Sequence, residues 1–215
     1  MSLDAELRSG AAELGLALSD AQFDQLLAYL ELIGKWTKVY NLTAVRDPAE
    51  MLRHHLLDSL AVIGPLRRQT GNRPIRLLDV GSGAGLPGVV IAICCPDVQV
   101  DCVDTVAKKA AFIQQVAASL KLPRLRGLHN RVENLDHPYD VVSSRAFASL
   151  ADFVTWSAGA LAEQGVWMAM KGKLPEAEMA ALPATATVFH VEQLQVPGLG
   201  AERHIIWLRK AGVLT

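Results

Sequence analysis

The sequence predicts an α/β fold with a doubly wound, mostly parallel sheet and an N-terminal helical extension. From about residue 74, short runs rich in β-branched residues alternate with helical segments. That alternation is typical of a parallel sheet with helices on both faces. The first 70 residues instead carry apolar side chains at helical spacing, with two helix-start signals. We therefore expect one structural unit, made of an extension (residues 1–70) packed on an α/β domain (residues 71–215).

Local signals place the helices of the extension. Ser19 and Gln22 have capping-box spacing, and Asp47 precedes a first-turn proline, with Glu50 three residues after the cap. Farther along the second of these helices, His54 and Asp58 lie four residues apart on one face. We expect these two side chains to form a hydrogen bond that docks the helix.

The α/β part divides into seven strands and four helices. The predicted strands span residues 75–80, 98–103, 125–129, 139–144, 165–170, 185–196 and 204–209, and the predicted helices span residues 87–95, 106–120, 149–162 and 174–181. In a doubly wound sheet, ligands bind beyond the carboxyl ends of the strands. The loop that follows the first strand is therefore the first place to look for a binding site.

Composition and charge exclude several classes of protein. Hydrophobic residues make up 51% of the chain, charged residues 20%, and the formal net charge is −1, so a polyanionic partner must be met by local basic patches. No signal-peptide pattern or membrane-length apolar run is present, so we expect a cytoplasmic protein that makes no membrane contact. Three cysteines (Cys94, Cys95 and Cys102) lack metal or redox spacing and predict buried free thiols. We also expect no metal site.

The first strand ends in a glycine-rich loop, "LLDVGSGAGLPG" (residues 77–88). Its glycines allow a ligand to approach the backbone closely, but the loop lacks the Gly-Lys-Ser/Thr ending of a nucleotide triphosphate-binding P-loop. Gly83, Gly85 and Gly88 match the dinucleotide pattern G-x-G-x-x-G, with Asp104 sixteen residues farther on. That match is shifted by two residues from its usual position after the strand. A nicotinamide-dependent oxidoreductase therefore stays open as an alternative.

Asp79 followed by G-x-G-x-G resembles the first motif of class I S-adenosylmethionine methyltransferases, and "VDTVAKKAAFI" (residues 103–113) resembles the second. The resemblance implies that the Asp79 carboxylate takes up the amino group of the methionine part of the cofactor. It also implies that Asp104 accepts hydrogen bonds from both ribose hydroxyls, a task that suits the two acceptor oxygens of a carboxylate. The alternative for Asp104 is a cap on the next helix.

Further segments resemble the bacterial RsmG (GidB) family, and with the glycine loop they cover nearly the whole chain. They are "KWTKVYNLTAVRDPAEMLRHHLLDSL" (residues 35–60), "RVENL" (131–135), "VVSSRAFASL" (141–150) and "LQVPGLGAERHIIWLRK" (194–210). This family methylates N7 of one guanosine in the decoding-region loop of 16S ribosomal RNA, with S-adenosylmethionine as cofactor. The resemblance therefore implies an rRNA-processing enzyme whose product is 7-methylguanosine.

The family resemblance also implies a set of cofactor-binding residues. These are Asp79, Gly81, Gly83, Gly85, Leu86, Asp104, Val132, Glu133 and Arg145. Guanine N7 has a lone pair and no proton, so its methylation needs no general base, and we assign no catalytic acid or base. At the end of the fourth strand, Arg145 is a candidate orienting residue that could bind the cofactor carboxylate, a phosphate or the guanine edge.

The RNA-binding residues are harder to predict. Two basic segments without acids, residues 35–46 and 121–131, could contact phosphates, and Arg46 and Lys171 are our candidate substrate-binding residues. Trp36 and Tyr40, which are interleaved in the first segment, could stack on bases or belong to the core. We expect a monomer that acts on 16S rRNA, free or within the small ribosomal subunit. A non-catalytic protein that binds the cofactor or the ribosome stays open as a further alternative.

Overall fold

The computed structural model describes residues 2–145, 147 and 149–212. The extension contains α1 (Leu3–Glu13), α2 (Asp20–Tyr40), α3 (Pro48–Met51), a π-helical segment (Leu52–Leu57), α4 (Asp58–Leu60) and α5 (Ile63–Thr70). Both predicted helix starts are confirmed. The Ser19 and Gln22 side chains form a reciprocal capping box, and the Asp47 carboxylate accepts the backbone N–H groups of Ala49 and Glu50, both at 3.0 Å.

The predicted pair between His54 and Asp58 is wrong. His54 Nε2 lies 3.2 Å from a carboxylate oxygen of Glu50, and Asp58 is bonded instead by two arginines, Arg145 and Arg203. The reason is electrostatic, because a buried carboxylate is better compensated by permanently charged guanidinium groups than by an imidazole. The π-helical turn itself had no signal in the sequence pattern.

The sheet has seven strands in the order β3-β2-β1-β4-β5-β7-β6. They are β1 (Arg76–Val80), β2 (Gln99–Asp104), β3 (Leu125–His129), β4 (Tyr139–Ser144), β5 (Leu161–Lys171), β6 (Ala186–Leu194) and β7 (Arg203–Lys210). Only β7 runs against its neighbours β5 and β6, so the predicted mostly parallel sheet is confirmed. The switch point of the sheet lies between β1 and β4. The chain adds β2 and β3 on one side of β1 and then β4 and β5 on the other side.

Four helices connect the strands of the α/β part: α6 (Gly88–Cys94), α7 (Ala107–Ser119), α8 (Leu150–Ser157) and α9 (Glu176–Ala180), and a 3₁₀ turn (Val132–Asn134) follows β3. The largest departure from the sequence expectation is the boundary between α8 and β5. We expected helix to residue 162, but β5 already begins at Leu161, which pairs with Tyr139 of β4. Backbone pairing with a neighbouring strand overrides the helical preference of the Ala-rich stretch there.

The extension shares a hydrophobic core with one face of the sheet. Leu26 and Ile33 of α2 belong to the same buried cluster as Val89 of α6 and Phe112 of α7, while α8 covers the other face. Side-chain amides of α2 add polar ties, since Gln22 Nε2 donates to the carbonyl of Ile93 at 2.9 Å. The extension is therefore held against the two helices that follow β1 and β2, next to the carboxyl ends of those strands.

Candidate functional site

The glycine loop lies between β1 and α6 with three glycines in left-handed conformations. The φ angles of Gly81, Gly83 and Gly85 are +63°, +58° and +89°, a region that side chains rarely adopt. A Cβ added at Gly81 or Gly83 would meet nothing within 4 Å, whereas one at Gly85 would lie 2.5 Å from side-chain atoms of Val89 and Ile113. Two of the glycines thus border open space, and the third permits close packing.

The loop is tied to its surroundings by hydrogen bonds on its inner side. The N–H groups of Gly85 and Leu86 both donate to the carbonyl of Ser82, at 2.8 and 3.2 Å. The Tyr29 hydroxyl of α2 donates to the carbonyl of Ala84 at 2.5 Å. The Leu86 side chain is buried. One residue of the helical extension therefore holds the loop directly.

Asp104 is the last residue of β2 and faces the loop. Its Oδ2 accepts the Gly83 N–H at 3.1 Å, and its Oδ1 accepts the Val106 N–H at 2.9 Å. The N-cap residue of α7 is Val106, which makes no side-chain cap bond. A carboxylate has about four acceptor positions. Asp104 can therefore hold the loop, with Lys109 Nζ also 3.5 Å from Oδ2, and keep acceptor capacity for a ligand hydroxyl.

Asp79 lies in the core beneath the loop. It is 0% exposed, and its two oxygens accept the Gly88 N–H at 2.9 Å and the Ser143 hydroxyl at 3.0 Å. Burial raises the pKa of Asp79 to about 6, against the opposing effects of those two donors and of Arg145. In this arrangement the carboxylate anchors the start of α6 and the end of β4. Its contact with a ligand amino group stays a prediction.

Val132 and Glu133 follow β3 at the same edge of the sheet. They form part of the 3₁₀ turn, in which Val132 is buried and Glu133 is exposed. An apolar side chain next to an exposed carboxylate suits the face and the amino edge of an adenine ring. The sequence-predicted residues of β1, β2 and β3 are thus gathered at one edge of the sheet.

The residues at this edge fit an adenosine-type cofactor. Gly81 and Gly83 leave their outer side open, Asp104 has acceptor capacity to spare, and the buried hydroxyls of Ser82 and Ser144 have no hydrogen-bond partner. Buried polar atoms without partners are uncommon in proteins and indicate a missing donor or acceptor. A ligand that offers a diol and further polar groups would fit this end of the sheet.

Beside this edge is a cavity of about 440 Å³ between the extension and the ends of β4, β5 and β7. It is lined by Val45, His54, His55, Asp58, Arg145, Met170, Lys171, Gly172 and Arg203. Three of these residues are cations, so the cavity suits an anionic or electron-rich ligand.

Asp58 organises two of the cations. One carboxylate oxygen accepts from Arg145 Nη1 at 3.2 Å, and the other accepts from Arg203 Nε at 2.8 Å. Arg145 Nη1 also donates to the carbonyl of His54 at 2.9 Å. The Asp58 side chain is only 3% exposed, against 26% for Arg145 and 23% for Arg203. A buried acid thus fixes two arginines whose remaining donors can reach a ligand.

Lys171 and His55 complete the cavity wall. Lys171 Nζ pairs with Glu178 at 2.8 Å and reaches the carbonyl of Phe147 at 3.4 Å. His55 Nε2 lies 3.0 Å from the Thr43 hydroxyl, and the Nδ1 atom has no partner. Burial, followed by the nearby Arg145, lowers the pKa of His55 to about 4. His55 is therefore a neutral group at pH 7.

Arg46, the other predicted substrate residue, does not reach this cavity. Its guanidinium donates to Asn41 Oδ1 at 2.6 Å and lines a separate, more apolar cavity beside α2. Sequence reasoning missed Asp58 and Arg203 as site residues. The available signal was an acid among the apolar positions of a helix, since Leu56, Leu57 and Leu60 surround Asp58 in the chain. Nothing local pointed to Arg203.

Neither a metal centre nor a spanning helix is found within residues 2–145, 147 and 149–212. No group of three or more His, Cys, Asp or Glu side chains in those ranges could hold a metal ion. No helix in the same ranges is long and apolar enough to cross a membrane.

Comparison with known proteins identifies the family of the chain. The family model described as "GidB: rRNA small subunit methyltransferase G" matches residues 22–206. The chain belongs to this family. The matched range includes all nine predicted cofactor-binding residues and both predicted substrate-binding residues. Membership of the GidB family rejects the oxidoreductase alternative.

Individual relatives of this GidB-family protein are similar over nearly their whole length. A protein of Albidiferax ferrireducens named "Ribosomal RNA small subunit methyltransferase G" is 66% identical over 98% of this chain and 99% of its own. The protein of the same name from a Polaromonas species is 68% identical over 95% of this chain and 92% of its own. The solved structure of coclaurine N-methyltransferase has a TM-score of 0.59 with 9% identity and covers 97% of this chain and 93% of that chain. That likeness shows the class I methyltransferase fold.

Proposed function

We propose that this protein transfers a methyl group from S-adenosylmethionine to N7 of a guanine in 16S rRNA of the small ribosomal subunit. One observation in the structure carries the proposal. Asp104, the acid that we assign to the ribose hydroxyls, and the open glycine loop lie at one edge of the sheet. Beside them is the cavity of about 440 Å³, which is lined by three cations. The family name supports the RNA class, and the geometry of the site supports the assignment of a cofactor and an acceptor to it.

The chemistry of the acceptor agrees with the residues at the site. When bound, S-adenosylmethionine supplies an electrophilic sulfonium methyl group, which the N7 lone pair of guanine can accept without loss of a proton. The cavity accordingly needs no general base, and His55, whose pKa is lowered to about 4, is not protonated at pH 7. The contribution of the chain is to orient the two reactants and to exclude water.

We assign the cofactor to the glycine loop edge. Asp104 binds the ribose hydroxyls, Val132 packs against the adenine face and Glu133 accepts from the adenine amino group. The backbone at Gly81 and Gly83 allows the methionine part to pass close to the loop. Asp79 supports this part of the site from beneath, because it joins the first turn of α6 to β4.

The cavity next to the loop edge receives the guanine nucleotide. Arg145 lies at the end of β4, between the glycine loop and the cavity, so it can orient the guanine edge or a phosphate. Lys171 and Arg203 contribute positive charge on the far wall. A volume of about 440 Å³ is large enough for one nucleotide, and sequence-specific RNA recognition usually targets unpaired bases.

The setting of the reaction follows from these assignments. We expect a cytoplasmic, monomeric enzyme that needs no metal ion and acts on 16S rRNA, free or in the assembled small subunit. Because the net charge is only −1, affinity depends on RNA shape and on local contacts more than on bulk phosphate attraction. Unstructured homopolymeric RNA should therefore compete poorly.

The test uses S-adenosylmethionine with a radiolabelled methyl group. Small subunits and protein-free 16S rRNA, both from cells that lack this protein, are labelled separately and digested to nucleosides. Label in 7-methylguanosine from a single loop is the expected result. Label in another nucleoside would contradict the assignment of N7. Absence of label in both substrates, with cofactor binding intact in calorimetry, would favour a non-catalytic binding protein.

A further inference from the structure

The carboxyl-terminal end of α2 leaves apolar side chains in water. Tyr40 is 45% exposed and Val39 is 69% exposed, although α2 is otherwise anchored by buried residues such as Ile33. The helix ends directly after them, at the left-handed Asn41. This small surface was singled out by the sequence and is not used by the cofactor or guanine assignments above.

The Tyr40 ring is held in position by its neighbours. Its centroid lies 4.9 Å from that of Trp36. Trp36 in turn packs edge-on against Phe112 at 5.2 Å and donates Nε1–H to Gln115 at 3.2 Å. Trp36 is therefore fixed against α7, whereas Tyr40 packs on Trp36 and is exposed to solvent. A ring fixed in this way loses little conformational entropy when something stacks on it.

Adjacent lysines connect this ring to the cofactor edge. Lys108 Nζ lies 4.9 Å from the centroid of Tyr40. The next residue, Lys109, places its Nζ 3.5 Å from Asp104 Oδ2. Tyr40 is therefore linked to Asp104 through Lys108 and Lys109, two neighbouring residues in the first turn of α7. The exposed ring thus lies beside the first turn of α7, the helix that follows Asp104 in the chain.

The surface beside the ring carries a positive charge. Lys108, whose Nζ lies over the ring, is exposed, and no carboxylate of the described residues lies within 4 Å of it. An exposed aromatic ring beside an unpaired lysine is a usual composition of a contact with single-stranded nucleic acid, in which bases stack and phosphates pair with lysine.

We propose that Tyr40 and Lys108 form a docking surface for unpaired rRNA nucleotides that flank the target guanine. A base stacks on Tyr40, and Lys108 moves from the ring to a phosphate. The exchange is favourable because stacking of a base on an aromatic ring contributes more binding free energy than an exposed cation–π contact. The proposal rests on the proposed function, since it concerns the same RNA substrate.

The chain offers a matched control on the other side of the sheet. Trp156 of α8 is 46% exposed, almost the same fraction as Tyr40, and it also packs against another aromatic ring, that of Phe147 at 5.4 Å. Its helix belongs to the opposite hydrophobic cluster. Replacement of Trp156 therefore tests for non-specific effects of removing an exposed aromatic side chain.

The experiment compares Tyr40→Leu, Tyr40→Phe, Lys108→Gln and Trp156→Leu in methyl transfer to protein-free 16S rRNA, and in parallel to assembled small subunits, at saturating cofactor. Tyr40→Leu should raise KM for the RNA about tenfold at unchanged kcat, and Tyr40→Phe should retain wild-type KM because the stacking face is kept. Lys108→Gln should reduce the slope of log affinity against log salt by about 0.7. Trp156→Leu should change neither quantity. Thermal midpoints and calorimetric cofactor affinities identify any variant that is misfolded or has a damaged cofactor site.

Three results would overturn the proposal. The first is an unchanged KM in Tyr40→Leu. The second is a raised KM with assembled subunits but not with protein-free rRNA, which would identify a ribosomal protein as the partner. The third is a parallel loss of cofactor affinity, which would make Tyr40 part of the cofactor site. If the wild-type protein transfers label neither to protein-free rRNA nor to assembled subunits, the proposed function fails, and direct binding of an rRNA loop fragment to the same variants still tests the surface.

Discussion

The Tyr29 hydroxyl donates a hydrogen bond of 2.5 Å to the carbonyl oxygen of Ala84, and this bond joins the helical extension to the middle of the glycine loop. Tyr29 is 0% exposed, and burial raises the pKa of its hydroxyl well above the ordinary value, so the donor stays protonated. Ala84 lies between two glycines with positive φ, where the backbone has little intrinsic preference for one conformation. The extension therefore restricts the part of the loop that must meet the cofactor.

Removal of that one hydroxyl should weaken cofactor binding. Tyr29→Phe keeps the ring in the core and leaves the Ala84 carbonyl without its donor, a loss of roughly 0.5–1.5 kcal/mol. We expect about two- to tenfold weaker binding of S-adenosylmethionine in isothermal titration calorimetry. Tyr139→Phe is the matched control, because the buried Tyr139 hydroxyl donates to Asp101 at 2.7 Å instead of to the loop. Equal affinities of the Tyr29 variant and wild type would refute a role of the extension in the cofactor site.

A side chain at Gly83 should be compatible with folding but not with cofactor binding. A side chain at Gly83 meets no protein atom within 4 Å of its Cβ, so Gly83→Val should fold, at a cost of about 1–2 kcal/mol for the left-handed conformation. It should nevertheless abolish cofactor binding, because the new side chain fills the space beside the loop. Gly15 has a similar φ of +68° and is equally open. Gly15→Val should therefore lose similar stability in urea titrations and keep full cofactor affinity, and matching cofactor losses in both variants would contradict the assignment.

Asp79 should make stability depend on pH in an unusual direction. Its folded pKa of about 6 lies above the ordinary 3.8, so the folded state binds this proton more tightly than the unfolded chain. The stability that Asp79 contributes is thus fully present below pH 3.8 and is lost as the pH rises through about 6. Asp79→Asn should remove this dependence, while its amide can still bond with Gly88 and Ser143.

The measurement is the difference in unfolding free energy between Asp79→Asn and wild type, from urea titrations between pH 4 and 7.5. We expect the variant to gain about 2 kcal/mol relative to wild type across that range, most of the free energy equivalent to the pKa shift. His55 acts in the opposite sense, because its pKa is lowered to about 4, but its effect is common to both proteins and cancels. A difference that does not change with pH would show that Asp79 has an ordinary pKa.

The parts of the molecule that the sequence predicted are those encoded locally. The strands follow from short apolar runs rich in β-branched residues, the helix starts from caps such as Ser19, and the glycine loop from residues adjacent in the chain. The bonds that complete the site are not local. Tyr29 and Ala84 are 55 residues apart in the chain, and Asp58 and Arg203 are 145 residues apart. No spacing rule links such pairs, because their contact depends on how the extension packs on the sheet.

The same limitation explains the incorrect pairing of His54 with Asp58. The i, i+4 rule describes neighbours on an isolated helix surface, and both residues satisfy it. Packing against the sheet instead buries Asp58 and brings two arginines to it from β7 and from the end of β4. The two arginines, which carry a permanent charge, bind Asp58 in place of His54. Because the sequence prediction paired Asp58 with His54, it missed Asp58 as the acid that holds both arginines of the cavity.

Asp58 should therefore matter for methyl transfer beyond its effect on stability. Asp58→Asn removes the negative charge that Arg145 and Arg203 share, so both guanidinium groups lose a charged partner at a nearly buried position. Removal of one member of such a pair typically costs about 3–5 kcal/mol. It also frees Arg145 to move within the cavity. We expect kcat for 16S rRNA to fall at least about tenfold, because misplaced orienting groups reduce the transfer step more than binding.

Asp101→Asn provides the control that separates stability from catalysis. Asp101 is also fully buried and accepts two hydrogen bonds from Arg126, at 2.7 and 2.6 Å, but it lies within β2 away from the cavity. Both variants should unfold at lower urea concentration than wild type. At a temperature where both are folded, only Asp58→Asn should have reduced kcat, with cofactor affinity nearly unchanged. Equal kcat values for the two variants would mean that Asp58 stabilises the fold without orienting Arg145 for the reaction.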